Sequence, residues 1–256
     1  MSIVLLGAGN VGWHLGHRLV QQGLTVSQVY SRYLPKALEL ADALNCQGIC
    51  QLEALNVNAD LYILAVSDAA IAPLSDLLSQ RLTTAARIIH CSGATPTDAI
   101  CQYFTDRGVL YPLQSFSRQR PVHFQQVPLC VCASTSHFQS QLLSLAQQLS
   151  GKSKLMEDEQ RLKLHLAAVW VNNFTNALYG IAEELVAEND IPFDWLLPLI
   201  AETAAKVQTL SPALAQTGPA IRGDQQTIDR HLSILHQHPQ WAALYKLLTD
   251  EIASRR

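Results

Sequence analysis

Charge is scarce in this chain of 256 residues: only 15% of them are charged, the net charge is −3, and no basic run exceeds two residues. A dedicated nucleic-acid or anionic-membrane surface is excluded on that ground. An uncharged apolar stretch of about 18 residues is also missing, so no membrane-spanning helix is expected. Met1-Ser2 passes straight into an apolar run, which leaves no place for a secretion signal and points to the cytoplasm. Metal-ligand spacing is absent too. The nine histidines contain no H-E-x-x-H pair, and Cys46/Cys50 and Cys130/Cys132 are poorly spaced for zinc. The six cysteines read as small buried apolar residues, and no metal is expected. Apolar residues, in contrast, make up 48% of the chain, enough for a large core and for interface surface.

The most informative stretch is Ile3-Val4-Leu5-Leu6-Gly7-Ala8-Gly9-Asn10-Val11-Gly12. It is a G-x-G-x-x-G element with an apolar strand before it and a helix-patterned segment after it, the context that dinucleotide binding requires. Gly7 permits the tight turn, Gly9 lets a pyrophosphate approach the backbone, and Gly12 lets the helix pack on the sheet. The phosphates would rest on free N–H groups at the helix N-terminus, around Asn10 and Val11. A second strand, residues 24–30, ends in Tyr30-Ser31-Arg32, with Lys36 beyond. An acid there would bond the ribose 2′-hydroxyl of NAD, whereas Ser31 and Arg32 suit a 2′-phosphate, so NADP is expected over NAD.

Further strands are expected at 46–51, 60–66, 87–91, 108–111 and 127–133, alternating with helices at 35–44, 69–78 and 137–150. Val66 and Ser67 follow one strand, with Ser67 or Asp68 as helix N-cap, and Ser92-Gly93 follows another; ligands bind at such strand ends. The alternation spells a doubly wound α/β domain over 1–156. Residues 157–256 carry only helical patterning, in segments near 159–189, 194–210 and 225–254, and form an all-helical second domain.

On an uninterrupted α-helix, His165, Val169, Asn172, Asn176 and Tyr179 share one face, with Asn173 on its border. The rest is Leu, Ala, Val, Trp and Phe, which implies that most of this helix is covered. Buried amides need partners, so these either bond other helices or face a substrate. Thr203 and Lys206, three apart on a later helix, and the polar loop with Thr217 and Arg222 are further substrate candidates. Arg222 could hold a carboxylate; the other reading is that Arg222 and Asp224 are a surface pair or a helix cap.

These segments resemble a family. The N-terminal half is similar to the NADP-binding domains of pyrroline-5-carboxylate reductase, ketopantoate reductase and deazaflavin-dependent NADP reductases. The whole chain resembles a bacterial family that joins a Rossmann-like domain to a helical domain of unknown function, of the 6-phosphogluconate dehydrogenase C-terminal type. The resemblance is carried by Gly7–Gly12, Tyr30-Ser31-Arg32, His90–Gly93, Tyr111–Ser117, His165–Asn176 and Gln216–Asp224. It implies an oxidoreductase that forms a homodimer through its helical domain. Related dehydrogenases often use a lysine on the first helix of that domain. Lys163 lies two residues before His165, roughly 160° around a helix, so both cannot face one pocket. The expected enzyme transfers a hydride between NADP and a small polar carbonyl, imine or hydroxy compound. His165 would donate the proton, and Asn172, Asn173 and Asn176 would orient the substrate. The other reading is a dinucleotide-binding sensor or dimeric scaffold without turnover.

Overall fold

The computed structural model describes residues 1–255 and divides them into two compact units, residues 1–172 and the described residues from 173 on. Strand β1 (Ser2–Leu6) is buried on both faces, Ile3 and Leu5 on one side and Val4 and Leu6 on the other, as the two-residue strand period requires. The remaining elements follow in order: α1 (Asn10–Gln21), β2 (Thr25–Tyr30), α2 (Leu34–Leu44), β3 (Gln47–Ile49), β4 (Leu61–Leu64), α3 (Asp68–Ser79), β5 (Ile88–His90), β6 (Arg107–Pro112), β7 (Leu129–Ala133), α4 (Ser136–Leu149) and β8 (Ser153–Leu155). The sheet runs β3-β2-β1-β4-β5-β6-β7-β8, with every pairing parallel except β6–β7. Helices α1, α2 and α4 pack on the face of Ile3 and Leu5, and α3 packs on the face of Val4 and Leu6. This is the expected doubly wound, Rossmann-like architecture. The order reverses between β2-β1 and β4, and a crevice opens beyond the strand ends at that switch point.

Helix α5 (Asp158–Ala168), opened by a capping box of Glu157 and Gln160, belongs to the first unit. The change from strands to helices near residue 156 therefore precedes the change in packing at Asn172. The second unit holds α6 (Thr175–Ala187), α7 (Leu197–Lys206), the short α8 (Pro212–Ala215) and α9 (Pro219–Arg222), α10 (Gln225–Ile234) and α11 (Pro239–Ala253).

The helical half differs from expectation in three ways. The segment 159–189 is not one α-helix, because Val169–Phe174 winds as a π-helix between α5 and α6. Its i→i+5 bonding invalidates the α-helical count that put His165, Asn172 and Asn176 on one face. The segment 225–254 breaks at Leu235–Gln237, since Pro239 cannot donate the next helical hydrogen bond and instead starts α11. Finally, the apolar flanks are not covered: Trp170 and Val171 are 58% and 76% exposed. No described helix is long and apolar enough to cross a membrane, and no metal-ligating cluster occurs among the described residues.

Candidate active site

The glycine turn has the geometry its spacing implies. Gly7 has φ +120°, and a Cβ there would lie 2.2 Å from the Ala65 carbonyl oxygen. A Cβ at Gly12 would lie 2.1 Å from the carbonyl oxygen of Gly7, so helix and turn touch backbone to backbone. Gly9 is different, with nothing within 4 Å of where its Cβ would be. It is the N-cap of α1 and offers no side-chain cap, and the backbone N–H groups of Asn10, Val11 and Gly12 have no partner among the described residues.

A cavity of about 610 Å³ extends from this turn. It passes Val66 and Ser67 at the end of β4 and reaches Ser31, Arg32 and Lys36 after β2. Ser67 holds the N-cap position of α3 without a side-chain hydrogen bond to it, so its exposed hydroxyl is not consumed by capping. Arg32 and Lys36 are exposed, and their side chains have no hydrogen bond or ion pair among the described residues. An open amide cradle at one end and two uncommitted cations at the other fit a dinucleotide: pyrophosphate on the turn, ribose and its substituent beside Arg32. Asn10 is committed, its amide donating to the Phe116 carbonyl at 2.9 Å, and Val11 packs against the core.

At the ends of β5 and β6 the chain builds a second cluster. Gly93 is pressed between Tyr111 and His165: a Cβ there would lie only 2.6 Å from the Tyr111 ring and 2.7 Å from His165 Nδ1. The Tyr111 hydroxyl and His165 Nδ1 are 3.1 Å apart and hydrogen-bonded. Burial, with the Cys130 thiol nearby, pushes the Tyr111 phenol up to about 12, so it remains protonated at neutral pH. Tyr111 stands 54 positions before His165 and is not discernible as its partner from local spacing.

The turn itself is held internally. Ser92 Oγ accepts from the N–H groups of Ala94 (3.1 Å) and Thr95 (2.9 Å) and donates to Thr95 Oγ1 (2.9 Å). Its hydroxyl is thus spent on the turn's shape and is not offered to a cofactor. His90, fully buried, accepts the Ser92 N–H at Nδ1 (3.1 Å) and contacts the Pro96 carbonyl through Nε2 (3.2 Å). Burial lowers its pKa to about 4, and the neutral Nε2–H tautomer satisfies both contacts. Helix α5 closes the arrangement. Asp158 accepts from the Thr97 N–H and hydroxyl, both at 2.8 Å, and pairs with buried Arg161 at 2.6 Å, whose other arm bonds the Thr95 carbonyl. Burial alone would raise the Asp158 carboxyl, but Thr97 and Arg161 hold it below the usual range. His165 is placed one helical turn beyond Arg161 by this clamp.

The other sequence candidates lie elsewhere. Asn172, Asn173 and Asn176 are exposed and bond no neighbouring helix among the described residues, and Asn172 lines a separate cavity beyond β6. Thr203 bonds the Leu199 carbonyl and Lys206 pairs with Glu202 at 3.4 Å, so both serve their own helix. Thr217 is exposed, and Arg222 is the exposed last residue of α9. Asp224 caps α10 through Thr227, the structural option for that loop.

Residues 2–92 match the family model described as coenzyme F420-dependent NADP oxidoreductase, and residues 127–252 match a domain of unknown function, DUF2520. With the doubly wound sheet and the open glycine turn, this defines an NAD(P)-dependent oxidoreductase. Among solved structures, a candidate NADP oxidoreductase from Bacteroides fragilis shares 40% identity over 99% of this chain and 98% of its own, with a TM-score of 0.92. The chain belongs to that family. A Thermotoga maritima protein at 20% identity (99% and 97% covered, TM-score 0.75) and an imine reductase from Streptomyces aurantiacus at 12% (98% and 93%, 0.69) share the fold. No curated protein matches the chain.

Proposed function

We propose that this oxidoreductase uses NADP(H) in preference to NAD(H) and reduces a small polar carbonyl or imine, or oxidises the corresponding hydroxy or amino compound. The observation that carries this reading is the continuous cavity from the unblocked amides at Gly9 to the uncommitted Arg32 and Lys36. Both cations would face a 2′-phosphate, and the end of β2, Tyr30-Ser31-Arg32, has no carboxylate to bind a free 2′-hydroxyl.

Bound NADPH supplies the hydride. This chain's part is to hold and deliver a proton at His165, with the protonated Tyr111 phenol fixing the ring through Nδ1 and leaving Nε2 for exchange with a substrate. Ser92 and Gly93 shape the turn against which the imidazole rests. The relatives' printed activities, imine reductase and pyrroline-5-carboxylate reductase among them, support C=N or C=O reduction as the class. A cytoplasmic setting would keep the six thiols reduced. Pairing with a second copy through the helical half would cover its exposed apolar side chains, Trp195 and Leu214 at 75% each among them.

The test is NADPH oxidation by wild type, His165→Gln and Tyr111→Phe against a panel of 2-oxo acids and cyclic imines. On an accepted substrate the first change should lower kcat at least about 100-fold and the second about tenfold, with NADPH affinity unchanged. Undiminished turnover by His165→Gln would remove the imidazole from the mechanism.

A further inference from the structure

The segment between β6 and β7 carries two arginines two residues apart with opposite commitments. Arg118 is occupied: it bonds the Ala8 carbonyl, pairs with Glu39 at 2.7 Å and lies over the Trp13 ring at 4.8 Å. It fastens the segment to the glycine turn, helped by the Phe116 and Ser117 carbonyls, which receive Asn10 and His14. Arg120 has its backbone fixed by a bond from its N–H to the Ser117 carbonyl at 3.2 Å, yet its guanidinium has no partner among the described residues.

Arg120 borders a cavity of about 550 Å³, within the usual range for small-molecule sites. His123, Gln126 and Asn172 line the same cavity, and their side chains also have no hydrogen-bond partner among the described residues. Val122 and Val127 give it an apolar wall, and no Asp or Glu lines it. Its position matters as much as its lining. It sits past the carboxyl end of β6, on the opposite side of the β1/β4 switch point from Arg32. A dinucleotide with its adenosine end beside Arg32 extends its reacting ring toward the β5 and β6 ends.

We propose that this cavity takes the carboxylate end of the substrate, a small carboxylic acid gripped by Arg120; His165 does not line it, so the reacting carbon lies outside it. A planar guanidinium with no competing acid matches a carboxylate in a two-bond fork. The carboxamides of Gln126 and Asn172 then meet polar groups on the rest of the molecule, and the valines meet its carbon skeleton. This deepens the reductase reading and rests on it, since the pocket's meaning depends on where the dinucleotide lies.

Binding to the full chain, with and without NADP⁺, tests the assignment by calorimetry. The probes are acetate, pyruvate and malonate at millimolar concentration, their uncharged counterparts acetamide and pyruvamide, and inorganic phosphate. The expected result is saturable binding of at least one carboxylate, none of its amide, and a loss of about tenfold or more in Arg120→Gln. Because Arg120 is exposed and unpartnered, that variant should fold with an unchanged Tm and bind NADPH as wild type does. Carboxylate binding unaffected by Arg120→Gln, absence of saturable binding by all three acids, or tighter binding of phosphate than of any acid would overturn the proposal. Failure of NADPH itself to bind would instead sink the reductase reading, so the two failures are distinguishable.

Discussion

Replacing Gly9 by alanine separates binding from folding at the turn. Its φ of −82° and ψ of −170° are open to any L-residue, and a Cβ there meets nothing within 4 Å. Reduced freedom of the unfolded chain favours alanine by about 0.4–1 kcal/mol. The poorer N-cap costs about as much. Stability should therefore change by less than about 1 kcal/mol, or about 2–4 °C in Tm for a chain this size. The new methyl would, however, stand where a pyrophosphate must approach the free N–H groups. Overpacking at such a contact costs about 1–3 kcal/mol, or roughly 5- to 150-fold in Kd. Gly12→Ala is the control with the opposite signature. Its Cβ would lie 2.1 Å from the Gly7 oxygen, a backbone overlap that has to be relieved by moving α1. A loss of about 3 kcal/mol, roughly 6–12 °C in Tm, is expected there. The assays are thermal unfolding and NADPH titration of both variants. Wild-type NADPH affinity in Gly9→Ala would refute the placement of the phosphates.

Three further outcomes follow from the geometry. Arg32→Gln should weaken NADPH about tenfold or more while leaving NADH affinity within about twofold, read by fluorescence titration of each. His90 stays neutral until about pH 4 in the folded chain but protonates near 6.5 when unfolded, so stability is fully present above about 6.5 and is lost as pH falls toward 4. The loss from this group approaches about 3 kcal/mol, and urea unfolding across that window should show a slope that flattens in His90→Asn. Trp195→Glu places a charge on an apolar side chain exposed by 75%; if the helical half pairs as proposed, sedimentation velocity should show a dimer for wild type and a monomer for the variant, and a wild-type monomer would refute the pairing.

The first half of the chain was legible because its signals are local. Gly7, Gly9 and Gly12 act within six residues, and a buried run such as Leu61–Leu64 announces itself without any knowledge of neighbours. The strands that build the crevice could therefore be read, and with them the glycine turn between β1 and α1. The helical half was harder for a physical reason. A π turn differs from an α turn by one residue of hydrogen-bond offset, which leaves no mark in the pattern of Trp170, Val171, Asn172 and Asn173. His165 could be singled out by its polar neighbours, but Tyr111 could not be matched to it, because that pairing depends on β6 and α5 meeting in space. Ser92 illustrates the reverse problem: a serine at a strand end looks available until its three hydrogen bonds within the turn are seen. Arg118 and Arg120 are equivalent in sequence, and only contacts divide the clamp from the free cation.

The α1 amides and Arg32 together are assigned the task of holding a phosphorylated dinucleotide, and every later role depends on it. Calorimetric titration of the intact chain with NADPH and with NADH tests this most directly. One site per chain is expected, with NADPH bound at least about tenfold tighter than NADH. Absence of heat with either nucleotide on folded protein, or tighter binding of NADH, would contradict it.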